Sequence, residues 1–89
     1  MDDQPARLIY WTQEARDDSQ QLPESTQAKI EQLLNLVARF PKMFRVENEG
    51  NYAGLRRMPV DRWILFYGYL PEDQIVMVQF IVSAASYHD

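Results

Sequence analysis

Residues 62–82, RWILFYGYLPEDQIVMVQFIV, decide the fold of this chain because they hold two long apolar runs on either side of a short polar break. Residues 62–69 and 74–82 are rich in aromatic and β-branched side chains, which favour strands. The break at residues 70–73, LPED, predicts a type I turn, because proline supplies the φ of about −65° that its second position needs. Neither run alternates cleanly between apolar and polar residues. We therefore expect an antiparallel hairpin in the middle of a sheet, with both faces covered.

Two further strands and a first helix are predicted outside this hairpin. Residues 7–11 (RLIYW) and 54–60 (GLRRMPV) have the composition of strands. Pro59 confines the second of them to an edge or an end, because proline cannot donate a hydrogen bond to a neighbouring strand. Thr12 is placed to cap a helix that runs to about Gln21, since its hydroxyl can accept a hydrogen bond from an amide of the first turn.

The second helix has the clearest periodic pattern. Its apolar residues recur at i, i+3, i+4 and i+7 and therefore share one face. These residues are Ile30, Leu33, Leu34 and Val37. Pro41 ends the helix, because its ring disfavours helical backbone at the residue before it. Residues 42–53 contain Gly-Asn and mixed charges, which predict a loop with a ragged edge strand.

Taken in order, these elements predict an α+β domain with the order β-α-α-β-β-β. The two N-terminal helices are expected to pack on one face of a mainly antiparallel four-stranded sheet. A chain of 89 residues is long enough for one domain, residues 1–89, with a small core.

Composition and charge exclude several classes of protein. The absence of cysteine excludes a disulfide framework and a Cys-based zinc site. The acidic start lacks an apolar signal core and no apolar run reaches the length of a membrane span, so we expect a cytoplasmic protein without membrane segments. The net charge of −4 argues against a protein that simply coats nucleic acid. Between Arg39 and Arg62, however, six basic residues face three acidic ones, which predicts a local basic patch.

Over nearly its whole length the chain resembles the RelE/ParE superfamily of bacterial toxins. The resemblance rests on the order of elements, on residues 22–41 (LPESTQAKIEQLLNLVARFP) as the second helix, and on residues 54–67 (GLRRMPVDRWILFY) leading into an aromatic strand. It implies a toxin of a type II toxin–antitoxin module that a cognate antitoxin neutralises. It also implies one of two targets: mRNA on the ribosome, which RelE-like members cut, or DNA gyrase, which ParE-like members poison.

The resemblance implies roles for three arginines. Arg56 and Arg57 match the paired arginines of the family's second strand. RelE-like nucleases also carry an arginine in the third strand, just before an aliphatic-aliphatic-tyrosine run, and the matching position here is Ile64. Arg62 lies two residues earlier, so on a strand it would present its guanidinium on the same face, about 7 Å away.

The C-terminal Ser-Tyr-His-Asp is similar to the ending of YoeB-like members, in which Tyr and His lie beside the scissile phosphate. This similarity implies roles for Tyr87 and His88. Many other relatives instead carry a His-Gly-Ala-Arg-Asp-like segment after the last strand. The corresponding residues here, 83–86 (SAAS), lack both the His and the Arg, so the two alignments imply different sites.

Cutting RNA without a metal or another cofactor requires a base for the 2′-hydroxyl proton, an acid for the leaving oxygen and cations for the charge on phosphorus. Histidine suits the acid or base role, tyrosine can stack on a nucleobase, and YoeB-like relatives keep a general-base carboxylate in the loop that contains Glu47. The candidate catalytic residues are His88, Tyr87, Arg62, Arg57 and Glu47. The candidate RNA-binding residues are Arg56, Arg45 and Lys42. One histidine among scattered acids predicts no metal site.

Structural explanations compete with these functional ones. A histidine one residue from a terminus is commonly solvated, and Glu47 is also consistent with an ordinary loop carboxylate. Adjacent strand residues point to opposite faces, so at least one of Arg56 and Arg57 is expected to be structural or to form a salt bridge. For the function, gyrase poisoning and a catalytically inactive binding module are the alternatives to ribosome-dependent mRNA cleavage.

Overall fold

The computed structural model describes residues 4–87 and confirms the predicted α+β order of elements. The four strands are β1 (Leu8–Trp11), β2 (Arg56–Val60), β3 (Trp63–Leu70) and β4 (Ile75–Ser83). The two helices are α1 (Gln13–Gln20) and α2 (Glu24–Arg39). Two short 3₁₀ turns, Gly50–Tyr52 and Ala84–Ser86, follow α2 and β4 along the chain.

The sheet has the order β1-β4-β3-β2, with the predicted β3–β4 hairpin at its centre. Both β2–β3 and β3–β4 are antiparallel, whereas β1 pairs with β4 in parallel. The hairpin turn is closed by the amide of Asp73, which donates to the carbonyl oxygen of Leu70 at 3.2 Å. Pro59 lies on β2 at one side of the sheet, which confirms its predicted edge position.

A capping residue marks the start of α1, and a proline follows the end of α2. The hydroxyl of Thr12 accepts a hydrogen bond from the amide of Ala15 at 3.1 Å, so Thr12 caps α1 as predicted. Helix α2 ends at Arg39, two residues before the buried Pro41. Its buried face is formed by Ile30, Leu34 and Val37 together with Thr26.

The sheet is covered on both faces, but by different parts of the chain. The helices pack on one face, where the fully buried residues include Met58, Leu65, Tyr67, Val76 and Val78. On the opposite face, Ile64 and Phe66 are also buried. The ring of Tyr52, from the first 3₁₀ turn, stacks on Phe66 with centroids 4.2 Å apart. The prediction that both faces of β3 are covered is therefore confirmed.

The hairpin between β2 and β3 is anchored to α2 through Asp61. The carboxylate of Asp61 accepts a hydrogen bond from the hydroxyl of Thr26 and one from the ammonium of Lys29, both at 2.8 Å. These bonds lower the pKa of Asp61, the Lys29 bond most strongly, because both favour the charged carboxylate.

Two predicted boundaries require correction. Strand β3 begins at Trp63, because Val60 pairs with Trp63 and leaves residues 61 and 62 in a two-residue turn. Arg62 is therefore not a strand residue, and strand alternation does not place its side chain on the face of Ile64. In the predicted loop at residues 42–53, the ragged edge strand is a single bridge between Val46 and Arg56.

Among residues 4–87, no helix is long and apolar enough to cross a membrane.

Candidate active site

The candidate site lies on the face of the sheet opposite the helices. Arg57 stands opposite Phe66 in the β2–β3 register, and so points to the same face as Phe66. The amide of Arg57 donates to the carbonyl oxygen of Arg45 at 3.1 Å, and the amide of Glu47 donates to that of Leu55 at 2.7 Å. These backbone bonds hold the segment before the first 3₁₀ turn against the start of β2.

Glu47, Arg57 and Tyr87 form a contact cluster on this face. The phenol of Tyr87 donates a short hydrogen bond to Oε2 of Glu47. Oε1 of the same carboxylate lies 3.9 Å from Nη1 of Arg57, and the Arg57 guanidinium carbon lies 5.2 Å from the centre of the Tyr87 ring. The side chains of Arg57 and Glu47 are only 16% and 13% exposed. At that degree of burial the ion pair is less screened by solvent than a surface pair.

Aromatic packing and local turns hold Tyr87 in this cluster. Its ring centre lies 5.5 Å from that of Phe66 and 6.1 Å from that of Tyr52. The 3₁₀ turn after β4 brings the chain to this point: the amide of Tyr87 donates to the carbonyl oxygen of Ala84 at 3.3 Å. The C-terminal segment is thus packed onto the sheet as far as Tyr87.

A cleft of about 690 Å³ opens beside the cluster. Its lining includes Arg45, Glu47, Asn51, Tyr52 and Tyr87. It therefore presents a carboxylate, a cation, an amide and two aromatic rings to a ligand. Carboxylates and guanidinium groups at this spacing suit proton transfer from a hydroxyl next to a charged phosphate.

The structure brings together three of the five candidate catalytic residues: Glu47, Arg57 and Tyr87. Arg62 lies in the exposed β2–β3 turn, where its carbonyl oxygen accepts a hydrogen bond from the amide of Ala84 at 2.8 Å. His88 lies outside the described residues. Ile64, at the position where the family's arginine is expected, is 4% exposed and lies on the same face of the sheet as Phe66.

The candidate RNA-binding residues are separated. Arg56 points away from the site, and its Nη1 donates to the carbonyl oxygens of Phe44 at 2.7 Å and Lys42 at 3.5 Å. Arg56 therefore shapes the segment before the site, as expected for one member of the arginine pair. Lys42 is exposed on that segment, and Arg45 lines the cleft.

Tyr52 is a site residue that sequence reasoning did not find. Its phenyl ring stacks on Phe66 at an interplanar angle of 8° and lines the cleft. The nearby Gly50, at a φ of 84°, marks a turn that only glycine adopts without strain, and an aromatic residue two positions later was an available signal. Within residues 4–87, no group of three or more His, Cys, Asp or Glu side chains is arranged to hold a metal ion.

Solved toxin structures share this fold. The toxin–antitoxin complex RelBE2 of Mycobacterium tuberculosis contains a chain with a TM-score of 0.77 and 22% identity, covering 96% of this chain and 100% of that one. The isolated RelE toxin of E. coli has a TM-score of 0.77 and 15% identity, with 89% and 85% covered. The archaeal RelE–RelB complex of Pyrococcus horikoshii has a TM-score of 0.68 and 11% identity, with 92% and 98% covered. No curated protein matches the sequence significantly.

The sequence match covers most of the domain. Residues 9–86 match the family described as the ParE toxin of the type II toxin–antitoxin system, parDE. This range begins at the second residue of β1 and ends in the 3₁₀ turn before Tyr87, so it contains both helices, the strands β2 to β4 and all of β1 except Leu8. The chain therefore belongs to the ParE toxin family within the RelE/ParE superfamily, and it is the toxin of a type II toxin–antitoxin module.

Proposed function

We propose that this toxin inhibits translation by cutting mRNA on the ribosome, with Glu47, Arg57 and Tyr87 at the reacting phosphate. The observation that carries the proposal is the contact cluster itself. A carboxylate, a guanidinium and a phenol from three distant segments meet beside an open cleft. A structural ion pair alone would not require the cleft or the third residue.

The proposed chemistry uses general acid–base catalysis. The 2′-hydroxyl of the RNA takes the place of the Tyr87 hydroxyl on Glu47, which removes its proton as the oxygen attacks phosphorus. Arg57 stabilises the charge that develops on the phosphate oxygens. The bond from phosphorus to the 5′-oxygen then breaks, and this oxygen receives a proton from Tyr87 or His88.

The partner and the location follow from the same proposal. Two of the similar structures are toxin–antitoxin complexes, RelBE2 and the archaeal RelE–RelB pair. We infer a cognate antitoxin for this toxin and place both proteins in the cytoplasm, where ribosomes are found. Arg45 supplies an exposed cation on the wall of the cleft, and Lys42 supplies another on the segment that leads to it, for phosphates on either side of the cut.

Two observations favour a second candidate, poisoning of DNA gyrase. Ile64 replaces the cation expected for a RelE-like nuclease, and its side chain is buried. The matching family is also described by its ParE members. In this reading, the cleft binds protein and no RNA bond is cut. The same replacement of the expected arginine also suits a binding module without either activity.

The purified toxin separates these candidates. Ribosomes programmed with mRNA are incubated with the wild type, with Tyr87→Phe and with a variant truncated after Ser86, and cleavage is mapped by primer extension. Cleavage in the ribosomal A site that falls in both variants supports the proposal. Full activity of the truncated variant rules out the role of the tail. Gyrase-dependent DNA breaks without mRNA cleavage support the second candidate. The absence of both mRNA cleavage and DNA breaks supports the binding module.

A further inference from the structure

Tyr52 lies on top of an aromatic stack beside the contact cluster. Its ring is nearly parallel to that of Phe66, with centroids 4.2 Å apart and an interplanar angle of 8°. Phe80 meets the ring of Tyr52 at an angle of 63°, with centroids 5.4 Å apart. Phe80 is also the partner of Phe66 in the β3–β4 register. The base of the stack therefore belongs to the sheet, and Tyr52 lies on the side away from it.

The outer face of the Tyr52 ring, opposite Phe66, is directed toward the cleft. The ring centre of Tyr87 lies 5.5 Å from that of Phe66 and 6.1 Å from that of Tyr52. A ring stacked on the outer face of Tyr52 would lie much farther from Phe66 than from Tyr52, so Tyr87 lies beside the stack. Tyr52 itself is half-buried and lines the cleft. The geometry therefore offers this ring face to a flat ligand.

The loop that carries Tyr52 is closed by backbone hydrogen bonds. The amide of Gly54 donates to the carbonyl oxygen of Glu47 at 2.8 Å, and the amide of Leu55 donates to that of Tyr52 at 3.0 Å. The turn within the loop is made at Gly50, with a φ of 84°. The ring of Tyr52 and the carboxylate of Glu47 are thus held on one closed loop before a ligand binds, which reduces the entropy lost on binding.

The cleft around this ring carries groups that suit single-stranded RNA. Arg45 lines the cleft as an exposed cation, and Asn48 and Asn51 line it as exposed amides. A guanidinium binds phosphate, and amides form hydrogen bonds with the edges of bases. Proteins that bind unpaired nucleotides combine such a cation with aromatic rings on which the bases stack.

We propose that the outer face of Tyr52 stacks on a nucleobase of the mRNA, in a nucleotide next to the phosphate that is cut. The Tyr52 ring centre lies 6.1 Å from that of Tyr87, whose phenol donates to Glu47, so a base on Tyr52 adjoins the contact cluster. Every base has a π face, so this ring recognises the presence of a base and tolerates its identity. The inference rests on the proposed cleavage of mRNA and adds a substrate-binding residue to the same site.

Abasic mRNAs test the stacking directly. An abasic ribonucleotide, which keeps its 2′-hydroxyl and phosphate, is placed on one side of the cut or on the other. Single-turnover cleavage on programmed ribosomes then gives the toxin concentration at half-maximal rate. For the wild type, we expect this concentration to rise about tenfold when the abasic nucleotide takes the stacked position.

Substitutions of Tyr52 complete the comparison. Tyr52→Leu should raise the half-maximal concentration about tenfold on intact mRNA and should add no further loss on the abasic mRNA, because the stacking partner is already absent. Tyr52→Trp should retain the affinity of the wild type, since an indole ring also stacks. The control is Tyr10→Leu, at a tyrosine that is 54% exposed on β1, and it should change neither value. Circular dichroism checks that each variant is folded.

A purely structural role of Tyr52 predicts a different result. Tyr52→Leu would then lose the same factor on the intact mRNA and on both abasic mRNAs, and this outcome would overturn the proposal. Wild-type cleavage that neither abasic position affects would also overturn it.

Failure of the nuclease can be told apart from failure of the stacking. If the wild type cuts no mRNA, the same variants are compared for binding of a fluorescein-labelled oligouridylate to the full chain, measured by fluorescence anisotropy. Binding that Tyr52→Leu weakens about tenfold and Tyr52→Trp retains would remove the nuclease and leave the stacking in place. No binding, or binding that Tyr52→Leu does not change, would overturn the stacking as well.

Discussion

The phenol of Tyr87 donates a hydrogen bond to the carboxylate of Glu47, forty positions earlier in the chain. Arg57 contacts both residues, with Nη1 3.9 Å from Glu47 Oε1 and its guanidinium carbon 5.2 Å from the Tyr87 ring centre. A loop, an edge strand and the C-terminal segment therefore meet at one carboxylate. The cluster lies beside the cleft, so its residues are the first to test.

Replacing Glu47 with glutamine should reduce mRNA cleavage by about 10²- to 10⁴-fold, the usual contribution of a general base. The amide oxygen can still accept the hydrogen bond of Tyr87, so we expect the fold to be retained. Single-turnover cleavage on programmed ribosomes measures the loss. The matched control is Glu72→Gln, an exposed carboxylate in the β3–β4 turn. A Glu47→Gln toxin that cuts at the wild-type rate would show that Glu47 is not the base.

Arg57→Ala should cost more activity than Arg62→Ala. Arg57 is part of the cluster, and removing a preorganised cation from a reacting phosphate lowers the rate by about 10²- to 10³-fold. Arg62 lies in the exposed turn between β2 and β3, so we expect a smaller effect, limited to long-range attraction of RNA. Cleavage rates of the two variants at low and high salt provide the comparison. An equal or larger loss for Arg62→Ala would contradict the assignment.

The hydrogen bonds that Asp61 accepts from Lys29 and Thr26 should stabilise the fold at pH values above the ordinary carboxyl pKa. This stabilisation should be lost in acid. The hydrogen bonds from Lys29 and Thr26 lower the pKa of Asp61 in the folded state. The stabilisation is therefore complete above a pH of about 3.9 and is lost as the pH falls through the lower folded value.

The comparison variant for this prediction is Asp61→Asn, because asparagine also tolerates the φ of 53° found at this position. Urea unfolding at a series of pH values measures the difference in unfolding free energy between the two proteins. We expect the advantage of the wild type to be constant from pH 7 to pH 5 and to decline below pH 4. A difference in unfolding free energy that does not change with pH would show that the ionised Asp61 carboxylate does not stabilise the fold.

Tyr67→Phe should destabilise the domain by about 1–3 kcal/mol. Tyr67 is fully buried, and its hydroxyl donates to the carbonyl oxygen of Pro41 at 2.8 Å, so its removal leaves a buried acceptor without this donor. Urea unfolding gives the free energy, and an unchanged m value shows that the same surface is exposed on unfolding. Tyr10→Phe, at a residue that is 54% exposed, is the control and should change stability little.

The central hairpin and α2 could be predicted because their signals are local. The apolar spacing of α2, the cap at Thr12 and the turn at residues 70–73 all depend on residues within one or two turns of each other. The start of β3 was harder to predict from the sequence. Aromatic composition predicts a strand but does not show where the preceding hairpin turn ends. The strand was therefore predicted to begin at Arg62, one residue before its actual start at Trp63.

The candidate site could be predicted from the sequence only in part, for a different reason. Glu47, Arg57 and Tyr87 were each identified, yet their contact depends on a bridge between Val46 and Arg56 and on the 3₁₀ turn after β4. Neither feature has a strong local signal. Tyr52 was missed because its burial comes from stacking on Phe66, a contact that composition does not reveal.

The amino-acid sequence by itself determined the order of helices and strands, the apolar face of α2 and the edge position of Pro59. These features follow from backbone preferences and periodic burial, which act between near neighbours in the chain. Only the tertiary structure decided that β1 runs parallel to β4, that Arg57 and not Arg56 faces the candidate site, and that Tyr87 reaches Glu47. Those outcomes depend on which distant surfaces bury one another, and many pairings satisfy the same local preferences.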